Sequence, residues 1–145
     1  MVTMKILVAA QAKHICDQIV DGLSSSEVDV KCVHEGARVR NELVEYKPDV
    51  LICDMQSGNM GGVAVCIDAR MEAEEDRSPD VAIILLLDRE ADRLLGERAD
   101  ADVLIIKPLD IFTLEKVVFE ITQERRAFND AILDEDSETG LKTDV

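Results

Sequence analysis

The sequence predicts an α/β fold in one domain, a doubly wound parallel sheet of five strands alternating with five helices. Three observations predict it. Short apolar runs rich in β-branched residues alternate with segments of helical spacing, the pattern of repeated βαβ units. Most of these runs are almost uninterrupted, as strands covered on both faces must be. The chain has 145 residues and 16.1 kDa, enough for one core.

The elements follow in order. Residues 4–10 (MKILVAA) form the first strand, and Ile15, Ile19 and Leu23 mark the apolar face of the first helix. Residues 28–33 (VDVKCV) alternate, which places this second strand at a sheet edge. Val39 and Leu43 mark the second helix, and residues 49–53 (DVLIC) the third strand. Val63, Ile67 and Met71 give the third helix a face to dock. The fourth strand is 81–87 (VAIILLL), Leu94 and Leu95 indicate a short fourth helix, and 103–106 (VLII) is the fifth strand. A last helix starts near Asp110, its N-cap, and carries Leu114, Val117, Val118 and Ile121. Pro48, Pro79 and Pro108 fall at element boundaries, where a missing N–H does least harm. After about Ala127 the periodicity weakens into AILDEDSETGLKTDV. Residues 1–123 therefore read as the domain, and 124–145 as a frayed helix end with an acidic tail or linker.

Composition excludes several function classes. Sixteen basic against thirty-one acidic residues give a formal charge of −15, a field that repels phosphate backbones and anionic lipid. From Glu124 on there are seven acids and three bases, so most of the surplus lies on the folded body. No apolar run approaches the roughly 20 residues of a membrane helix. No secretory signal is readable at the N-terminus, so a cytoplasmic location is expected. Cys16, Cys32, Cys53 and Cys66 include no CxxC pair and read as buried thiols; His14 and His34 add no ligand spacing. There is no P-loop or GxGxxG. The loop after the first strand (AAQAKH) has no hydroxyl or glycine cluster for a flavin phosphate, and aromatics are 3%.

In such a sheet, ligands sit where strands end. Those positions are Ala10 and Gln11, Cys53 and Asp54, Leu87 and Asp88, and Lys107 and Pro108. Asp54 opens the loop Asp54-Met55-Gln56-Ser57-Gly58-Asn59-Met60-Gly61-Gly62, and Lys107 leaves a neighbouring strand on the same edge, so their charges converge. The Gly61-Gly62 pair fits the turn into the third helix. Met55, Met60 and Met71 read as gap-fillers, and Glu72, Glu74, Glu75 and Asp76 as a solvated face.

Asp54, its loop and Lys107-Pro108, in this order and spacing, resemble the response-regulator receiver domain of two-component signalling over about residues 4–123. The resemblance implies a flavodoxin-like receiver fold with Asp54 as phosphoacceptor. Lys107 is then the counter-charge to phosphoryl oxygens, and the Lys107-Pro108 peptide is cis. It places Gln11, Gln56, Asp88 and Pro108 in the binding region, with Asp54 and Gln56 at the metal positions.

Three working parts of that family are replaced. Its acid pair falls at Ala10 and Gln11, so Mg²⁺, which wants anionic oxygens in octahedral array, is possible but weakly held. Its hydroxyl after the fourth strand falls at Leu87 or Asp88; Leu87 cannot donate, and Asp88 would repel a phosphoryl group. Asp88 is also expected as a helix N-cap. Its aromatic switch falls at Leu104. Two readings of Asp54 stay open: a retained phosphoacceptor, or a carboxylate paired with Lys107.

The expected function is a stand-alone, atypical receiver in phosphorelay signal transduction. It would not be an enzyme. It would act by binding signalling proteins, a histidine kinase or downstream target, through the fourth helix, fifth strand and fifth helix (89–98 and 111–118). The alternative is a working receiver phosphorylated at Asp54 by a histidine kinase.

Overall fold

The structure, a computed structural model, describes residues 2–57 and 60–139, with side chains as far as 132. Gly58 and Asn59 of the loop after Asp54, and tail residues 140–145, lie outside the described residues. The order is β1 (Met4–Ala9), α1 (Lys13–Leu23), β2 (Val28–Val33), α2 (Val39–Glu45), β3 (Val50–Asp54), α3 (Gly62–Glu74), β4 (Ala82–Leu87), α4 (Arg93–Arg98), β5 (Val103–Ile106) and α5 (Ile111–Thr139). Single 3₁₀ turns, Gly36–Arg38 and Glu90–Asp92, lead into α2 and α4.

All strand pairs are parallel, in the order β2-β1-β3-β4-β5. Alternation along each strand sends successive side chains to opposite faces. Ile6, Val8, Ile52, Ile84 and Leu86 meet Ile15, Cys16 and Ile19 of α1 and Leu114, Val118 and Ile121 of α5. Leu7, Ala9, Leu51, Cys53, Ile83, Leu85 and Leu87 meet Val39 and Leu43 of α2 and Val65, Cys66 and Ala69 of α3. The three central strands are wholly buried over Ile6–Ala9, Val50–Cys53 and Ala82–Leu87, which is why they carry uninterrupted apolar runs there. β2 is at the edge its alternation predicts.

Several expectations are corrected. β5, expected to be covered on both faces, is the opposite edge, and its four residues are only half-buried. The docking face of α3 is Gly62, Val65, Cys66 and Ala69, whereas Ile67 is 42% and Met71 55% exposed. The reason is distance: a Cβ on Gly62 would stand 2.3 Å from the Asp54 carbonyl oxygen, so the helix approaches the sheet on small residues and turns its bulky ones outward. Glu72, expected on a solvated face, is buried on the same side, held by Arg77 Nε at 2.7 Å and Arg40 Nη2 at 3.2 Å. α4 exists, but its leucines are exposed and Gly96 makes the contact, against Leu104. α5 continues past Ala127 to Thr139, so the frayed segment is helical over most of its length. Asp110 caps it as expected, accepting from Phe112 N at 3.1 Å and Thr113 Oγ1 at 2.9 Å.

Candidate functional site

The candidate site forms where β3, β4 and β5 end together. Asp54 closes β3 in register with Leu86, Met55 N donates to Leu86 O, and Lys107 N donates to Leu87 O. These backbone bonds bring the side chains after β4 and β5 over the end of β3. Lys107-Pro108 is cis, as the resemblance implies.

Asp54 is 1% exposed. Its Oδ1 accepts from Lys107 Nζ and from Gln56 N, each at 2.7 Å. Its Oδ2 is buried and, among the described residues, has no hydrogen-bond partner. Lys107 Nζ also donates to Asp88 Oδ1 at 2.7 Å, and Gln56 Nε2 donates to Asp88 Oδ2 at 2.8 Å. One ammonium therefore bridges two carboxylates, with the Gln56 amide bracing the outer one.

Asp88 is held below its ordinary carboxylate range, first by the Gln56 hydrogen bond and then by Lys107. Burial works to lower Lys107, but its hydrogen bonds to Asp54 and Asp88 outweigh this and raise it, so it stays charged. The cluster is one cation against two anions.

Most of the site residues read from the sequence converge here. Asp54, Gln56, Asp88 and Lys107 bond to one another. Gln11 joins through its backbone, its N–H donating to Gln56 O at 3.0 Å. Pro108 follows Lys107 and is exposed. Of the two candidates after β4, Leu87 is buried in the core and Asp88 enters the site. The expectation that Asp88 caps a helix is overturned: the turn before α4, Glu90–Asp92, has Arg89 at its N-cap position, and Asp92 Oδ2 reaches back to accept from Arg89 N at 3.0 Å. Asp88 is instead drawn to the nearest cation. The side-chain role of Gln56 was not legible, because an amide in a loop carries no spacing signal. Leu104 packs under α4 with no aromatic in its place.

The donor set does not fit Mg²⁺. Among the described residues, the site offers one free carboxylate oxygen, Asp54 Oδ2, while the first strand ends in Ala10 and Gln11. The Gln56 carbonyl already accepts from Gln11, and an ammonium stands 2.7 Å from Asp54. A hard dication needs several anionic oxygens, and here they are replaced or engaged. Asp54 could act as a nucleophile only through Oδ2, and an incoming phosphoryl group would meet the negative charge of Asp88.

No protein-family model matches the chain. Among solved structures, it superposes on the receiver domain of Francisella response regulator 1452 with a TM-score of 0.72 at 19% identity, over 85% of this chain and 99% of that one. A signal receiver domain of a signal transduction histidine kinase from Syntrophus aciditrophicus gives 0.73 and 21%, over 84% and 92%. The BeF₃-activated N-terminal receiver domain of Klebsiella pneumoniae RstA gives 0.71 and 22%, over 81% and 97%. The chain has the fold of response-regulator receiver domains, five parallel strands and five helices in the flavodoxin-like arrangement.

Proposed function

We propose that this chain is an atypical receiver module of two-component phosphorelay signalling that works by binding other signalling proteins, with Mg²⁺-dependent phosphorylation at Asp54 weakened or lost. The observation that carries this reading is the position of Lys107, 2.7 Å from both Asp54 and Asp88. The cation that would meet an incoming phosphoryl group is already matched by a permanent carboxylate. Asp88 thus occupies electrostatically the place that a phosphoryl group would take. The chain is read as a non-enzymatic, cytoplasmic component. Its partner surface is assigned to α4, β5 and the start of α5, where Leu94 and Leu95 are exposed.

One observation favours the second reading, a working phosphoacceptor: Asp54 Oδ2, unpartnered among the described residues, is the atom that would attack. A backbone-amide NMR titration with Mg²⁺ and then beryllofluoride separates the two. The expected result is silence around Asp54 and Lys107 in the wild type and a response in the variant Ala10→Asp, Gln11→Asp, Asp88→Thr, which restores the carboxylates and removes the competing charge. Shifts at Asp54 and Lys107 in the wild type would overturn the proposal in favour of phosphorylation.

A further inference from the structure

Cys16 of α1 and Cys32 of β2 meet on the sheet face that α1 covers. Cys32 Sγ lies 4.0 Å from Cys16 O, which sets the two cysteines side by side. His34, just beyond β2, sets Nδ1 3.1 Å from Ala10 O and 3.9 Å from Cys16 Sγ. A carbonyl oxygen only accepts, so Nδ1 carries the hydrogen and presents an N–H edge to the sulfur. The Cys32 hydrogen bond, with help from His34 and against burial, lowers Cys16 to about 7, while donating to Cys16 pushes Cys32 up. Cys16 is thus the more acidic thiol of the pair.

The other two cysteines form an internal control. Cys53 and Cys66 lie in the opposite half of the core; burial pushes Cys53 well up and Cys66 to about 11. Cys66 donates to Ala99 O at 3.1 Å. At Cys66 burial outweighs the lowering effect of Arg70, and at Cys53 burial, Cys66 and Asp54 all act to raise the thiol.

We propose that Cys16 and Cys32 are a peroxide-reactive modification site that closes to a reversible disulfide joining α1 to the edge strand β2. The Cys16 thiolate attacks one oxygen of hydrogen peroxide, the O–O bond breaks, and with one proton the leaving hydroxide departs as water. Cys16 is then a sulfenic acid. The Cys32 sulfur attacks the Cys16 sulfur; the S–O bond breaks, and the departing hydroxide takes the Cys32 proton to leave as a second water. In sum, two thiols lose two protons and two electrons, and one peroxide becomes two waters. Cys16 is 3% exposed and Cys32 half-buried on the edge strand, so the oxidant, a molecule little larger than water, is proposed to reach the pair from the side of Cys32. The Ala10 carbonyl that His34 and the Cys16 thiol both contact precedes Gln11, which bonds to Gln56, so oxidation acts next to the Asp54 site. The chemistry does not depend on whether Asp54 is phosphorylated.

The test uses the full chain, with hydrogen peroxide as the probe, intact mass before and after, alkylation of remaining thiols, and peptide mapping. In the wild type the expected result is loss of two hydrogen masses, protection of two of the four thiols, a linked Cys16–Cys32 peptide, and reversal by dithiothreitol. In Cys32→Ala, checked for fold by circular dichroism, dimedone is expected to trap a sulfenic acid at Cys16. Before oxidation, iodoacetamide is expected to label Cys16 at least about tenfold faster than Cys53 or Cys66. A wild-type chain that forms no link, links Cys53 to Cys66, or only accumulates oxygen at Cys16 would overturn the proposal. The wild-type mapping decides even where a cysteine variant fails to fold.

Discussion

Lys107→Met removes the charge at the centre of the site while keeping its length. Asp54 and Asp88 each lie 2.7 Å from the ammonium, so their oxygens are no more than about 5.4 Å apart once it is gone. Two unit charges near 5 Å at an effective dielectric of about 20 repel by about 3 kcal/mol. That falls at the lower end of the cost of breaking a buried pair, as suits a cluster whose Asp88 side chain is 31% exposed. The expected loss at neutral pH is about 3 kcal/mol, or about 10 °C in melting temperature for a domain of this size. The chain has no Trp, so urea and thermal unfolding are followed by far-ultraviolet circular dichroism. In the wild type Asp88 is held below its unfolded value of 3.8, so its contribution is full above that value and disappears as pH falls through the folded one. In the variant the sign reverses. Two carboxylates without a cation retain a proton that the unfolded chain has released. The penalty is therefore full near neutrality and shrinks as the pH falls toward 5. A cost below about 1 kcal/mol, or one independent of pH between about 5 and 7, would refute the electrostatic account of this site.

Two backbone predictions follow from close approach and dihedral strain. Gly62→Ala sets a Cβ 2.3 Å from the Asp54 carbonyl oxygen, whereas Gly96→Ala meets the Leu104 side chain at 2.6 Å. Backbone cannot yield as a leucine can, so the first is expected to cost about 2 kcal/mol in urea unfolding and to shift the Asp54 amide in NMR, and the second less than about 1. Lys47, just past α2, adopts φ 54°, a left-handed conformation that is costly for a side chain with a Cβ. Lys47→Gly is expected to raise stability by about 1 kcal/mol; a lower melting temperature would show that the lysine side chain compensates its own strain.

Fold and site were unequally legible. The central strands announced themselves because a strand buried on both faces tolerates almost nothing but apolar residues, and Ile6–Ala9, Val50–Cys53 and Ala82–Leu87 obey that rule. The docking face of α3 did not, because periodicity weights large side chains while the closest approach is made by Gly62, Cys66 and Ala69. Nor did the burial of Glu72, whose partner Arg40 comes from a different helix. At the site, Asp54 and Lys107 were readable from strand ends. Asp88 was misread as a cap because local sequence rewards an acid before a helix, and its true partner lies nineteen positions away.

The far end of the sheet provides the comparison by which the role of Lys107 can be judged. There Arg70 of α3 donates to Asp102 Oδ2 at 2.7 Å, Asp80 Oδ1 at 3.2 Å and the Val81 carbonyl at 3.1 Å, and Asp102 also accepts from Ile83 N at 2.7 Å. Asp80 precedes β4 and Asp102 precedes β5, as Asp88 follows β4 and Lys107 follows β5. The same two strands are clamped by ion pairs at both ends, at this end by Arg70 with Asp80, Asp100 and Asp102 and by Arg125 with Asp80. The ends differ in burial. Asp80 is 62% exposed and keeps Arg125 at 2.9 Å, so water and that arginine replace Arg70 there, while Asp54 at the other end is buried. Arg70→Met is therefore expected to cost about 2 kcal/mol through the Asp102 and Val81 contacts, with little pH dependence between about 5 and 7. The six residues of β4 separate the clamps by about 20 Å, so its loss and that of Lys107→Met should add to within about 0.5 kcal/mol. If Lys107→Met proves much the milder of the two, Lys107 is not committed to holding the strand ends together. It would then be free to meet an incoming phosphoryl group, and the balance would move toward Asp54 as a working phosphoacceptor.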